Sequence, residues 1–410
     1  MRYSLINPPW SFDGSIYFGC REPHLPLEYG YSKALLESAG HDVDVVDAQL
    51  DGLSLDDVRE RVRSFRPDFT VVTTAPSYLF WRCAPPELRV PLETVRAVRD
   101  IGGTTVAVGP HASTTPEATR RKLGVDVVVM GECEELLPRL AEGWRGGQSS
   151  PHSADMSKLP ALHWPRETIA KHHHHHHRFE AAPKGPGAEM ETSRGCPYHC
   201  TFCAKDNFRN LFRRRPIAVI ADELDGLVAN GIEYVYFIDE IFLAYRDVLE
   251  TIRDRRVKFG IQTRIDLWSE EMLDLLGEAG CVSIEAGVES ITEEGRRLLD
   301  KKCKISTDEI SDRLIHAKKR VPFVQANLLD SRDDDPADVE AWRAHLHEHG
   351  VWANKPVPLF PYPGSPDYTR RWGAPDDRAW ERAHEFYLGS FDEFSDIQEQ
   401  RPAPLVQLER

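Results

Sequence analysis

The sequence predicts an α/β protein made of two parallel-sheet units, a doubly wound flavodoxin-like sheet followed by a partial (β/α)6 barrel. Three observations carry this. Short β-rich runs alternate with helical stretches over residues 1–144, a turn-rich break fills 145–188, and six further strand-like runs separated by helical segments follow over 189–370. Residues 371–410 read as a helical tail.

In the first unit the strand-like runs are YSLINPP (3–9), VDVVDA (43–48), FTVVTTAP (69–76), TTVAVGPH (104–111) and VDVVVMGE (125–132). Most are nearly continuous apolar runs, the pattern of parallel strands covered on both faces. SKALLESAG, LDDVRERVRSF and LETVRAVRD supply helices between them. Ligands of such sheets bind beyond the strand C-termini, where NPPW, TTAPS, GPHAS and GECEE should gather.

The break contains RGGQSSPHSAD, KLPALHWPRE and APKGPGAE, rich in turn formers, and the run His172 to His177, expected as a solvated polar loop. From 189 onward come EMETSRG, YVYFIDEIF, VKFGIQTRID, CVSIEAGVES, VPFVQANLLD and NKPVPLFPYP, separated by helical segments such as IADELDGLVANG and EEMLDLLGEAG. Parallel barrels of this kind place their active sites at the strand C-termini.

Composition narrows the function. No run approaches the roughly 18 apolar residues of a membrane span, and MRYSLINPPW has no signal-peptide pattern, so a cytoplasmic protein without membrane attachment is expected. The formal charge of −15 disfavours nucleic acid as a partner. RNLFRRRP is the basic exception; its Arg213, Arg214 and Arg215 are a solvated face or an anion clamp. Of eight cysteines, Cys196, Cys200 and Cys203 alone cluster, and thiols are expected throughout.

Those three lie in SRGCPYHCTFCAK, residues 193–205, just after the first barrel strand. Thiolates suit zinc or iron-sulfur clusters, and closed structural sites have four protein ligands. Three cysteines leave one metal position open for an exogenous ligand. His199 is the alternative fourth ligand, although it sits between two of the cysteines.

RGCPYHCTFC resembles the cluster loop of the radical S-adenosylmethionine (SAM) superfamily, with its aromatic residue at Phe202 as in the cobalamin-binding branch. The resemblance implies that Cys196, Cys200 and Cys203 hold a 4Fe-4S cluster whose open iron chelates SAM, which is then cleaved to a 5′-deoxyadenosyl radical. It further implies cofactor contacts from Glu289 and Ser290 in SIEAGVES. By position, Asp239 at the end of the second strand is a cofactor contact or a capping carboxylate, and Arg264 in QTRID a carboxylate clamp or a structural salt bridge. Gln325 and Asn327, expected on alternating faces of the fifth strand, are candidate contacts where the superfamily often has a glycine-rich turn. PLFPYPGSPDY is similar to a late segment of the same branch.

The first unit resembles the cobalamin-binding domains that precede such barrels, with INPP, AGHDVDVVDA, AVGPHAS and MGECEEL in order. Its pocket edge would be Thr74, Gly109, Pro110, His111, Gly131 and Glu132, with Cys133 where the branch has a loop glycine. No D-x-H-x-x-G motif is present, so the resemblance implies base-off cobalamin without a histidine ligand. The whole is similar to class B radical SAM methylases. That implies methyl transfer, through methylcobalamin and the adenosyl radical, to an unactivated carbon of a small metabolite such as a sugar or natural-product intermediate. Flavodoxin or ferredoxin would supply electrons. Rearrangement, cyclisation or oxidation without methyl transfer is the alternative enzyme reading, and a non-catalytic iron-sulfur or cobalamin-binding protein the contrasting one; production of 5′-deoxyadenosine separates enzyme from binder.

Overall fold

The computed structural model of the 410-residue chain describes all residues except 17–22, 78–83, 148–150, 173–185, 210, 331–332, 391–401 and 410. The first sheet comprises β1 (Arg2–Asn7), β2 (Asp42–Asp47), β3 (Phe69–Thr73), β4 (Thr104–Val108) and β5 (Val127–Val128). Its order is β2-β1-β3-β4-β5, with every pairing parallel. Alternate residues serve two cores: Tyr3, Leu5, Val71, Val106 and Val108 face one side, while Ile6, Val46, Val72 and Ala107 face the other. This two-sided burial is why the strands read as unbroken apolar runs.

Helices α1 (Leu27–Ser38), α2 (Leu55–Phe65) and α3 (Arg89–Val98) cover the sheet. At the start of α2, Ser54 accepts from the Asp57 backbone N–H while the Asp57 carboxylate accepts from that of Ser54, and only Val58 and Val62 are buried. Two strand boundaries differ from expectation. β4 stops at Val108, because Gly109 turns at φ 107° and Pro110 opens the short helix α4 (Pro110–Thr114), which takes His111 out of the strand. VDVVVMGE pairs with β4 only at Val127–Val128, and its Gly131 makes a separate bridge to His152.

The second sheet runs in sequence order through β6 (Gly187–Met190), β9 (Tyr234–Phe237), β10 (Lys258–Thr263), β11 (Cys281–Glu289), β12 (Phe323–Asp330) and β13 (Trp352–Ala353), all parallel. A further strand, β14 (Val357–Pro358), joins the far end of β12; it is the part of the expected sixth run, NKPVPLFPYP, that pairs, while β13 precedes that run. EMETSRG divides similarly, its end forming β7 (Ser193–Arg194), which pairs antiparallel with β8 (Arg213–Arg214).

Val235, Phe237, Ile261, Ile284, Ala286, Val324 and Ala326 form the apolar side of the barrel wall. The opposite side carries Tyr236, Gln262, Glu285, Gln325 and Asn327. Glu285 pairs with Gln325 and Gly287 with Asn327, so Gln325 and Asn327 share one face. This corrects the alternating-face expectation, since residues two apart on a strand point the same way.

The segment between the sheets is no bare linker: Met156, Leu159, Leu162 and Ile169 enter the barrel core. His172 is buried, its Nδ1 2.6 Å from the Gly187 carbonyl and its Nε2 3.2 Å from Glu189, contrary to a solvated histidine loop. His173 to His177 lie outside the described residues. The expected tail is also packed. In helix α5 (Ala379–Gly389), Ala379, Ala383 and Tyr387 join Ile16, Phe360 and Tyr368 in a separate core, and Trp380 stacks on His111 at 3.9 Å. No helix among the described residues is long and apolar enough to cross a membrane.

Candidate cofactor site

The three-cysteine loop leaves the C-terminal side of β6, and a glycine makes its entry possible. Gly195 has φ 76°, and a Cβ there would lie 2.1 Å from the Leu211 carbonyl oxygen. Its N–H donates to Glu240 Oε2 at 2.8 Å, and Glu240 also pairs with the buried Arg209. Within the loop, the Cys203 N–H donates to the Cys200 carbonyl at 3.1 Å.

A late segment clasps the loop from outside. Thr201 Oγ1 donates to Asp367 at 3.0 Å, the Asp367 N–H returns to the Thr201 carbonyl, and Asn207 donates to the Pro363 carbonyl. PYPGSPDY is thus more than a turn. Phe202 is half-buried beside these contacts.

Cys196, Cys200 and Cys203 are free and half-buried. Burial raises all three thiols, Cys200 to about 11 and Cys203 to about 12, so without a metal they stay protonated. Among the described residues no three His, Cys, Asp or Glu side chains converge on a single-ion site. His199 is directed to Asp206 at 3.4 Å, with its side chain exposed. An open pocket of about 410 Å³ adjoins Cys196, lined by Pro197, His199, Asp206, Leu211 and Phe212.

The donor set fits an iron-sulfur cluster with a carboxylate-bearing ligand beside it. Three soft sulfurs share one loop, and a buried cation next to them retains a donor. Arg264 forks onto Asp266 through Nε at 3.1 Å and Nη2 at 2.7 Å, and its guanidinium lies 4.0 Å over the Tyr198 ring of the cysteine loop. Its Nη1 is buried without a hydrogen-bond partner. Buried donors are rarely left so, and the position suits a ligand carboxylate.

The other sequence-predicted residues divide between loop support and open contacts. Asp239 is fully buried and accepts from the Thr192 N–H, Thr192 Oγ1 and Ser193 Oγ at 2.6–2.8 Å, so it anchors the approach to the loop. Burial nevertheless pushes its carboxyl up to about 7, against those donors. Glu289 sits at φ 63° and pairs with Lys301. Ser290 is buried and donates to Asp334 at 2.8 Å. Gln325 donates to Asn327 Oδ1, which leaves the buried Gln325 Oε1 without a partner.

Glu132 faces the barrel. Its carboxylate accepts from Arg213 at 2.6 and 2.9 Å, from Arg194 at 3.1 Å and from the Ala154 N–H at 2.7 Å. Burial opposes its ionisation, but Arg194 and Arg213 outweigh that and draw the carboxyl down to about 2. Arg194, fully buried, also binds Glu134 at 2.7 Å and Glu191 at 2.6 Å, and Arg209 extends the network from Glu191 to Glu240. The RRR run is divided: Arg213 holds buried Glu132 and Arg215 holds buried Glu223, while Arg214 pairs with Asp247 at the surface. Arg194, Arg209, Tyr198 and Lys301 escaped sequence reasoning, because single cations and a loop tyrosine carry no spacing signal.

At the edge of the first sheet Thr74 Oγ1 donates to the Val108 carbonyl, and a Cβ on Gly109 would lie 2.6 Å from that hydroxyl. A Cβ on Gly131 would lie 2.2 Å from the His152 carbonyl, so the segment after the first sheet presses on this turn. Pro110 is buried at the start of α4. His111 Nε2 is 2.8 Å from the Pro85 carbonyl, and burial lowers its pKa to about 3, keeping the ring neutral. Cys133 is buried in the first core.

Residues 190–340 match the radical SAM superfamily and residues 21–141 the B12 binding domain. An uncharacterized methyltransferase of Pyrococcus horikoshii is 23% identical over 91% of this chain and 82% of its own length. An anaerobic magnesium-protoporphyrin IX monomethyl ester cyclase of Cereibacter sphaeroides is 23% identical over 82% of this chain, and cytidylyl-2-hydroxyethylphosphonate methyltransferase of Streptomyces wedmorensis is 25% identical over 66%. The chain spans 58% and 62% of the lengths of these two. In fold it is similar to the radical SAM methyltransferase TsrM of Kitasatospora setae, with a TM-score of 0.69 at 18% identity over 89% of this chain and 76% of that one. The cobalamin-dependent radical SAM enzyme OxsB gives 0.63 at 15% identity, over 99% of this chain and 57% of that one. The two family matches follow the order of the two sheets, a B12 binding domain over the first and a radical SAM domain over the three-cysteine barrel.

Proposed function

We propose that the protein is a methyltransferase that moves a methyl group to an unactivated carbon of a small polar metabolite, using a 4Fe-4S cluster, SAM and base-off cobalamin. The observation that carries the reading is the three-cysteine loop beside the free Nη1 of buried Arg264. When bound, the cluster with SAM supplies hydrogen abstraction at the barrel mouth, and the corrin supplies a transferable methyl group.

Cys196, Cys200 and Cys203 would hold the cluster, with Asp239 and Glu240 fixing the loop from beneath. Arg264 Nη1 would donate to the SAM carboxylate, while Tyr198 keeps the guanidinium flat against the loop. Gln325 Oε1 offers an acceptor from the barrel wall to a hydroxyl or amine of SAM or substrate. Thr74, Gly109, Pro110 and Gly131 would form the corrin-facing edge. His111 supports the absence of a histidine ligand, since its Nε2 is engaged by Pro85 and its ring by Trp380. Flavodoxin or ferredoxin would deliver the electron.

The test is the anaerobic electron paramagnetic resonance spectrum of the reconstituted, reduced protein with cobalamin, before and after SAM, joined to an assay for 5′-deoxyadenosine. A base-off cob(II)alamin signal and a SAM-perturbed cluster signal are expected. A cluster signal indifferent to SAM, with no 5′-deoxyadenosine formed, would overturn the reading. Cyclisation without methyl transfer is the second reading, favoured by the cyclase name of one relative, and a product lacking the SAM methyl label would select it.

A further inference from the structure

His384, Trp380 and Tyr387 lie four and three residues apart on α5 and share its buried face. Trp380 stacks on His111 at 3.9 Å and its Nε1 donates to Thr115 at 3.2 Å, both in the first sheet's turn after β4. Tyr387 packs against Phe360 at 5.5 Å, in the segment beyond the last barrel strand. This helix face therefore bridges two strand C-terminal edges, the places where ligands bind in doubly wound sheets and in barrels.

Between those two aromatic contacts, His384 is anomalous. It is 1% exposed, and neither Nδ1 nor Nε2 has a hydrogen-bond partner. Native proteins satisfy most buried polar atoms, and an imidazole with both nitrogens unmet is a worse filler of an apolar face than phenylalanine. Burial alone lowers its pKa to about 4, so the ring is neutral at physiological pH. A neutral imidazole presents one N–H donor and one acceptor. Its complement is a group that also donates and accepts. An anionic acceptor could use only the N–H, whereas a group that both donates and accepts can meet either nitrogen, and an apolar group meets neither.

We infer that His384 is a ligand contact that hydrogen-bonds a peripheral carboxamide of cobalamin where α5 meets the first sheet. The inference rests on the proposed cobalamin binding. A carboxamide has the required donor and acceptor, and the corrin ring is fringed with them. The neighbouring Trp380 is already seated on the first sheet's ligand-binding edge, which favours cobalamin over a substrate deeper in the barrel.

The experiment titrates hydroxocobalamin into full-length wild-type protein, His384→Phe and His384→Asn, following corrin absorbance, and compares the thermal midpoints of the cofactor-free proteins. His384→Phe keeps a flat ring but removes both nitrogens. The expected result is an unchanged or raised midpoint together with about tenfold weaker cobalamin binding, partly recovered in His384→Asn, whose amide again donates and accepts. Wild-type affinity in His384→Phe overturns the inference while leaving the cobalamin reading intact. A midpoint that falls along with affinity makes His384 a packing residue and also overturns it. Failure of the wild-type protein to bind cobalamin removes the reading beneath it.

Discussion

Glu132 Oε2 and Arg194 Nη1 meet at 3.1 Å with neither side chain exposed, so the last loop of the first sheet and the residue two before Cys196 share one buried charge pair. Arg194 also holds Glu191, Arg209 links Glu191 to Glu240, and Glu240 takes the Gly195 N–H. The entry of the cysteine loop is thereby tied to the first sheet through a run of buried charged side chains. Glu132 and Glu191 stay ionised because their arginines outweigh burial and hold both carboxyls below the ordinary carboxylate value.

Glu132→Ala should leave Arg194 and Arg213 short of a buried partner. Removing one member of a buried pair costs about 3–5 kcal/mol, so a clear fall in the denaturation midpoint is expected. Exposed Glu294, paired with Arg297 on the surface, is the control: its alanine variant should shift the midpoint little, because solvent screens such a pair. Equal effects of the two variants would show that the buried network carries no special weight.

Replacing any one of Cys196, Cys200 and Cys203 with serine should abolish stable cluster reconstitution. Cys281 is buried in the barrel core, and Cys303 packs against that core, well separated in sequence from the loop. Cys281→Ser and Cys303→Ser should therefore keep the iron and sulfide content of the wild type. Iron analysis with the visible absorption spectrum measures this, and loss of iron in Cys303→Ser would put a ligand in the wrong place.

Arg264→Lys separates charge from geometry. Lysine keeps a cation, but it cannot bind Asp266 with two nitrogens, lie flat on Tyr198 and still present a third donor. About tenfold weaker SAM binding is expected, with the iron content unchanged. Equilibrium dialysis with labelled SAM measures it, and wild-type affinity in the lysine variant would remove Arg264 from the carboxylate contact.

The sequence displayed the sheets more clearly than the site. Both parallel sheets were legible because two-sided burial writes itself as continuous apolar runs, and the cysteine loop was legible because its ligands are local. Strand ends were less so: Gly109 and Pro110 end β4 before His111 by backbone geometry that an apolar run does not display. The pairing of Arg194 with Glu132 was not legible at all, since the two are 62 residues apart. Asp239 shows the same limit, because position on a strand end suggested a ligand contact while its bonds run to Thr192 and Ser193. Trp380 likewise gains its meaning only from His111, far off in sequence.

His111 supplies a pH prediction. Burial lowers its pKa from 6.5 to about 3, so between those values the unfolded chain takes a proton that the folded chain refuses. The native state binds fewer protons there, and stability falls as pH drops below about 6.5. His111→Phe removes this titration. The fall in stability from pH 7 to pH 5 should be shallower in the variant than in the wild type, by up to one proton's worth of slope. Parallel pH–stability curves would show that His111 takes up its proton in the folded state.

Gly364 lets the late segment close over the cysteine loop, and its substitution separates steric from backbone effects. It sits at φ 87°, and a Cβ there would lie 2.3 Å from Asn207 Oδ1, the side chain whose amide holds the Pro363 carbonyl. Gly364→Ala must both adopt an unfavourable φ and displace Asn207, which loosens the clasp that reaches Thr201 through Asp367. Faster alkylation of Cys200 and Cys203 in the cluster-free protein is expected, followed by mass spectrometry. Asn207→Ala relieves the clash but also removes the Pro363 contact, so it serves as the reference: adding Gly364→Ala to it contributes the backbone strain alone, and a smaller further rise in alkylation is expected than in the wild-type background. No further rise would assign the whole effect to the side-chain contact, and no increase in the Gly364→Ala single variant would show that the late segment does not shield the loop.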